Sequence, residues 1–138
     1  MDEKDKDLLL KDICGRLPYG VKTPYSGYEM TIRGVDVESK TVDVIDWGKA
    51  RFAAVRIEKI KPYLRPMSSM TESERKEFDD LSKFDEDVWM GNHKVGFPKN
   101  VRIMSKCVDW LNKNMFDHRG LIPKGLALEA KEGMYNNN

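Results

Sequence analysis

Between Val21 and Arg65 the apolar residues keep a period of two that slips at single positions, and this pattern constrains the fold of the chain more than any other. Alternation marks half-buried strands, because successive side chains on a strand point to opposite faces. Tyr28, Met30 and Ile32 share one phase, and after Gly34 the apolar set moves to Val35 and Val37. A one-residue slip sends every later side chain to the other face and calls for a bulge or tight bend. A second slip falls at Val44/Ile45, inside a strand from Thr41 to Trp47, and a further strand runs from Phe52 to Ile57. Leu17, Tyr19 and Val21 alternate ahead of these as the first strand.

The stretch closes on Ile57-Glu-Lys-Ile-Lys-Pro-Tyr-Leu-Arg65, which reads as a strand end, one tight helical turn and a final extended piece. Pro62 has no amide hydrogen for a central ladder and pushes Lys61 toward extended geometry. About five short strands in roughly 45 residues, with two sharp corners, predict a small SH3-like β-barrel over about residues 17–66. A sandwich would need about seven strands and ~100 residues.

Helices flank this segment. Leu9, Leu10, Ile13, Cys14 and Leu17 recur at helical spacing, with Asp5 or Asp7 available as cap and Gly15 placed to end the run. Pro66-Met-Ser-Ser-Met70 reads as a linker, and Thr71 with Glu74 matches a capping box opening a helix over about 72–84. That helix is acidic and weakly amphipathic through Phe78 and Leu81, so it belongs on the surface. Residues 85–97 read as irregular, anchored by Trp89, Met90 and Phe97. Pro98 suits the first turn of a longer helix, whose stripe of Val101, Met104, Val108, Leu111 and Met115 is widened by Ile103, Cys107 and Trp110. So broad an apolar face predicts cover by the barrel or by a partner, and favours self-association. Phe116 to Gly125 reads as a loop, and Leu126 to Lys131 as one last helical turn. The expected organisation is α+β: residues 1–66 as N-terminal helix plus barrel, and 67–138 as a helical C-terminal region packed on it in one compact unit.

Length and charge narrow the function less than the fold. A chain of 138 residues buries enough surface to form a core without disulfide or metal. Its net charge of +1 neither advertises a polyanion partner nor forbids one. Cys14 and Cys107 lie far apart and outside any C-x-x-C pattern, which argues against a zinc ribbon, a redox dithiol or a secreted disulfide scaffold. They read as two buried thiols. No stretch approaches the ~20 apolar residues of a membrane span, and the charged N-terminus is not a signal peptide. A cytoplasmic protein without membrane contact is expected.

Three constellations invite chemical readings. Asp117-His118-Arg119 sets a carboxylate beside an imidazole, the ingredients of proton transfer. Adjacent residues seldom reach that geometry and no nucleophile is marked nearby, so the alternative is structural: Asp117 bonding loop amides while Arg119 reaches a carboxylate. His93 with Asp79, Asp80, Asp85, Glu86 and Asp87 offers clustered oxygens, but at no Ca²⁺-loop spacing, and a solvated acidic face is the stronger reading. The basic run Lys49, Arg51, Arg56, Lys59, Lys61 and Arg65 opposes only Glu58, with Tyr63, Trp47 and Phe52 within or beside it. Cations beside exposed aromatics neutralise phosphates and stack bases; the same aromatics would equally fill a small barrel core.

Leu10-Lys-Asp-Ile-Cys-Gly-Arg-Leu-Pro-Tyr-Gly-Val-Lys22, Ile60-Lys-Pro-Tyr-Leu-Arg-Pro-Met-Ser-Ser-Met-Thr71, and Asp109-Trp-Leu-Asn with Phe116-Asp-His-Arg-Gly-Leu-Ile-Pro-Lys-Gly-Leu-Ala-Leu-Glu-Ala130 together carry a resemblance. They resemble a family of uncharacterised proteins widespread in gut Bacteroidetes genomes and their phages and prophages. The resemblance implies a bacterial or phage setting and an accessory role. It supplies no activity, cofactor or catalytic residue, and residues 76–100 stand outside it. The expectation is therefore a non-enzymatic accessory protein without catalytic, cofactor or metal residues, binding a protein partner or itself. The alternative is a nucleic-acid-binding module that uses Lys49, Arg51, Arg56, Lys59, Lys61, Tyr63 and Arg65 on the barrel edge.

Overall fold

The computed structural model describes residues 1–82, 89–90, 93–94 and 96–135, with side chains described outside 83–100. Helix α1 runs Glu3–Arg16 and is capped by the Asp2 carboxylate, which accepts the Asp5 N–H at 2.8 Å. The cap thus lies upstream of the expected Asp5 or Asp7, because the helix begins before its apolar stripe does. Leu9, Leu10 and Ile13 are buried on its inner face. Gly15 stays inside the helix rather than ending it, and it lets Asn112 approach closely, where a Cβ would meet the amide nitrogen at 3.0 Å. The expected first strand at Leu17–Tyr19 is a 3₁₀ turn, stopped by left-handed Gly20.

Four strands follow as an antiparallel meander, β1 (Lys22–Tyr25), β2 (Tyr28–Asp36), β3 (Thr41–Asp46) and β4 (Arg51–Arg56), ordered β1-β2-β3-β4. Ser26 and Gly27 both have positive φ in the two-residue turn between β1 and β2, the backbone twist that suits a tight hairpin. The register of β2 against β3 shifts between Ile32 and Gly34, where the sequence slips phase. No shift occurs at Val44/Ile45: register there continues unbroken against both neighbours. Val44 joins the core, and Ile45, also buried, lies on the outer face between Thr31 and Phe52. Side-chain cover, not a bend, explains that pair.

The predicted SH3-like barrel is not formed, because the sheet does not close. β5 (Tyr63–Leu64) pairs instead in parallel with β8 (Leu128–Glu129), and Arg65 bridges to Phe116. The physical reason lies at the edge of β1. Pro24 has no amide hydrogen to offer there, and the Lys22 N–H donates to the Tyr135 hydroxyl at 2.8 Å. That hydroxyl in turn donates to the Tyr63 carbonyl at 2.8 Å, and Thr23 Oγ1 donates to the Lys61 carbonyl at 3.2 Å. Side-chain hydroxyls span the gap that a closing ladder would have filled.

The C-terminal part contains α2 (Glu72–Leu81), a short antiparallel pair β6 (Trp89–Met90) and β7 (His93–Lys94), and α3 (Gly96–Lys113). Leu126 to Lys131 is not a helical turn. The Leu128 and Ala130 amides donate to the carbonyls of Pro62 and Leu64 at 2.9 and 2.7 Å, which commits them to a ladder. One core cluster gathers α1, the inner sheet face, Ile57, Ile60, Leu64, Met115, Leu121 and Leu126. A smaller one joins Trp110, Leu111 and Phe116 beneath Met70, Phe78 and Leu81. α3 ends at Lys113, before Met115, and does not bury its whole stripe: Leu111 is covered, whereas Val101, Met104 and Val108 are exposed. Cys14 is exposed and Cys107 half-buried, both as free thiols, which corrects the expectation of two buried ones. Among the described residues no helix is long and apolar enough to cross a membrane.

Candidate binding surface

The basic run does not assemble into one surface. Arg65 forms a two-pronged ion pair with Glu74, at 2.7 and 2.8 Å, and its guanidinium lies 4.1 Å from the centre of the Phe116 ring. Its backbone N–H and C=O bond to Met115 and Asp117. Tyr63 is buried, and Arg56 pairs with Glu58 at 3.1 Å. Lys59 and Lys61 are exposed beyond the end of β4, whereas Lys49 and Arg51 flank the opposite end of that strand.

What the fold does assemble lies at the β3–β4 hairpin. Ile45 pairs with Phe52 and Asp46 with Arg51, so the tip is Trp47 to Ala50. Trp47 is 71% exposed and Phe52 66% exposed, the two most exposed aromatic side chains among the described residues. Phe52 shares the outer face with Thr31 and Ile45, and the Arg33 guanidinium lies 5.8 Å from its ring centre. Tyr28 stands at the same end of the sheet, with the Arg51 guanidinium 3.8 Å over its ring. Phe52 and Arg33 thus meet on the outer face, whereas Tyr28 and Arg51 continue the phase of the core residues Met30, Ala53 and Val55 at the same end of the sheet. The sequence marked Trp47, Phe52, Lys49 and Arg51. Arg33 and Tyr28 escaped because they sit on β2, far away in the chain and adjacent only once β2 and β3 pair.

Asp117-His118-Arg119 takes the structural form. Asp117 accepts the Leu121 and Ile122 N–H groups, one on each oxygen, at 2.8 and 2.9 Å, which turns the carboxylate away from its neighbouring imidazole. His118 Nε2 instead meets Asn112 Oδ1 at 2.8 Å. Beneath lies a buried ion pair: Arg16 donates to both Asp12 oxygens at 2.8 and 3.1 Å and to the Phe116 carbonyl at 2.7 Å. Arg119 approaches the same Asp12 at 3.4 Å, an ion-pair distance without hydrogen-bond alignment. Burial, then the Arg16 charge, depress the His118 pKa below its ordinary 6.5. Through Asn112 the imidazole ties the loop after α3 back to that helix.

A polar cleft of about 850 Å³ lies between Ser69, Thr71 and Glu74 on one side and Glu129, Lys131 and Tyr135 on the other. Arg65 and Glu74, its convergent charges, are spent on each other. Of the acidic set considered for metal, Asp85, Glu86 and Asp87 lie outside the described residues, as does the side chain of His93. Among the described residues no group of three His, Cys, Asp or Glu side chains converges to hold a metal ion.

No family model, no curated protein and no solved structure matches the chain. The phage and Bacteroidetes setting implied by the three phrases therefore gains no support and is set aside with the SH3-like assignment.

Proposed function

We propose that this chain is a non-enzymatic interaction module that takes a protein partner on the outer face and tip of the β3–β4 hairpin. One observation carries the reading: the β3–β4 hairpin exposes Trp47 at its tip and Phe52 at the start of β4 to solvent, at 71% and 66%, with the Arg33 guanidinium 5.8 Å from the Phe52 ring centre. Aromatic side chains of this size bury about 150–250 Å² each when covered, and Trp, Tyr and Arg are the residues that dominate binding energy at protein interfaces. A lone exposed leucine needs no explanation; an indole and a phenyl both largely exposed on one hairpin are the kind of surface a partner covers.

The test compares wild type with Trp47→Ala/Phe52→Ala in a nuclease-treated extract of the organism that encodes the chain, by cross-linking and mass spectrometry. Capture of a defined protein by wild type and its loss in the variant is the expected result. A nucleic-acid reading draws on Arg33 beside the Phe52 ring, Arg51 over the Tyr28 ring and Lys49 in the hairpin turn. It predicts oligonucleotide binding that weakens steeply with salt and is lost on charge reversal at Lys49 and Arg51. That outcome would replace the protein reading, and retention of neither class would end both.

A further inference from the structure

The two edges of the four-stranded sheet are treated differently. At β1, Pro24 presents no amide hydrogen and the Lys22 N–H is taken by Tyr135, so the edge is closed to another strand. β4, at the other edge, pairs among the described residues with β3 alone. The Ile57 N–H donates to the Lys40 carbonyl, and with Val42 opposite Val55 and Val44 opposite Ala53 this register turns the backbone of Ala53 and Val55 toward β3. Alternation then turns the N–H and C=O groups of Phe52, Ala54 and Arg56 outward, and no described residue takes them up. β4 also lacks the protections that exposed edges normally carry: it has no proline, no bulge against β3, and no charge between Arg51 and Arg56.

We propose that this edge pairs with the same edge of a second copy of the chain, antiparallel about a two-fold axis at Ala54, joining the two sheets into one. An antiparallel ladder exchanges both bonds only between outward-facing residues, so positions 52, 54 and 56 set the choice of register. Centring on Ala54 aligns Phe52 with Arg56 of the second copy on both sides of the axis, and Ala54 with its counterpart. Centring on Ala53 brings left-handed Ala50 against Arg56 and loses a pair. Centring on Arg56 opposes two guanidinium groups, which repel. In the favoured register Arg56 lies across from the exposed Phe52 ring, a cation–π arrangement, while Ala53 faces Val55 on the inner side. A net charge of +1 on each chain adds little repulsion. The strand's own pattern is thus complementary to itself, and a second copy is the occupant it fits. This goes beyond the hairpin-tip reading, since Trp47 takes no part in the ladder.

Sedimentation velocity on the full chain, over micromolar to near-millimolar concentration, tests it. Wild type should dimerise with concentration. Ala54→Lys should weaken association by about tenfold or more, because it sets two ammonium groups opposite each other at the axis. Ala54 is exposed, so circular dichroism should show an unchanged fold. In a Cys14→Ser/Cys107→Ser background, Ala54→Cys should cross-link to itself on mild oxidation, at the ~5.5 Å Cα spacing of a hydrogen-bonded pair, and Lys49→Cys should not. Trp47→Ala should dimerise like wild type, which separates this proposal from the partner-binding one. A chain monomeric at every concentration, or an Ala54→Lys variant that associates as wild type does, overturns it.

Discussion

Arg16 and Asp12 hold the most expensive charges in the molecule, both fully buried on α1 and bound to each other and to the Phe116 carbonyl. Removing a charge from water costs several kcal/mol, and the pair survives only because each partner answers the other. Asp12→Ala leaves a buried guanidinium with one remaining partner. Denaturant melts should show a loss of about 3–5 kcal/mol, while Lys11→Ala one residue earlier, on the exposed face, should change stability by less than about 0.5 kcal/mol. Arg65 teaches the complementary lesson. In sequence it belongs to a basic run, yet bidentate geometry and a stacked Phe116 ring bind it to α2 and the 116–122 loop, and nothing of its charge is left for a ligand.

At the scale of elements, the start of α2 is the most locally determined feature. Thr71 Oγ1 accepts the Glu74 N–H at 3.1 Å, and Glu74 returns the bond to the Thr71 N–H at 3.0 Å. All the atoms involved lie within four residues, so the motif is visible in sequence without knowledge of the fold. Glu74 also receives Arg65, and that hydrogen bond, ahead of the Thr71 amide, lowers its pKa from 4.5 to about 2. A carboxylate with a depressed folded pKa contributes stability that is complete above its unfolded value and lost as pH falls through the folded one. Stability should therefore decline as pH drops from about 4.5 toward 2, and Glu74→Gln should lack this part of the decline in acid titrations followed by circular dichroism. The β3–β4 hairpin is the opposite case. Its strands are legible from alternation, but alternation cannot say which face the helices will cover, so Trp47 and Phe52 read equally as core and as surface until α1 is seen on the other side.

For the whole molecule, the decisive contact is one hydroxyl. Tyr135 joins β1 to β5 by accepting from Lys22, 113 residues away in the chain, and donating to Tyr63. Its burial pushes the phenol pKa well above the ordinary value of 10. Tyr135→Phe keeps the ring and leaves a part-buried N–H and C=O without their partner, which should cost about 1 kcal/mol or more. Thermal melts against wild type would read this directly, and amide exchange should quicken at Lys22. Much of the fold was open to inference because it rests on near neighbours: the helix of Leu9 to Ile13, the slip at Gly34, the capping box, and the amide-binding role of Asp117. These depend on φ/ψ preference, side-chain period and hydrogen bonds a few residues long. The unclosed sheet, the parallel pairing of β5 with β8, the burial of Tyr63 and the exposure of Trp47 depend on which distant segments meet. Amino-acid order alone determined the three longer helices and the strands β2 to β4; only the tertiary structure decided the partners of the strands and turned Leu17–Tyr19 into a 3₁₀ turn and Leu128–Glu129 into a strand. An unpaired strand edge has several geometrically possible mates, and the choice among them is made by distant groups, here Pro24 and Tyr135, that leave no periodic trace in the sequence.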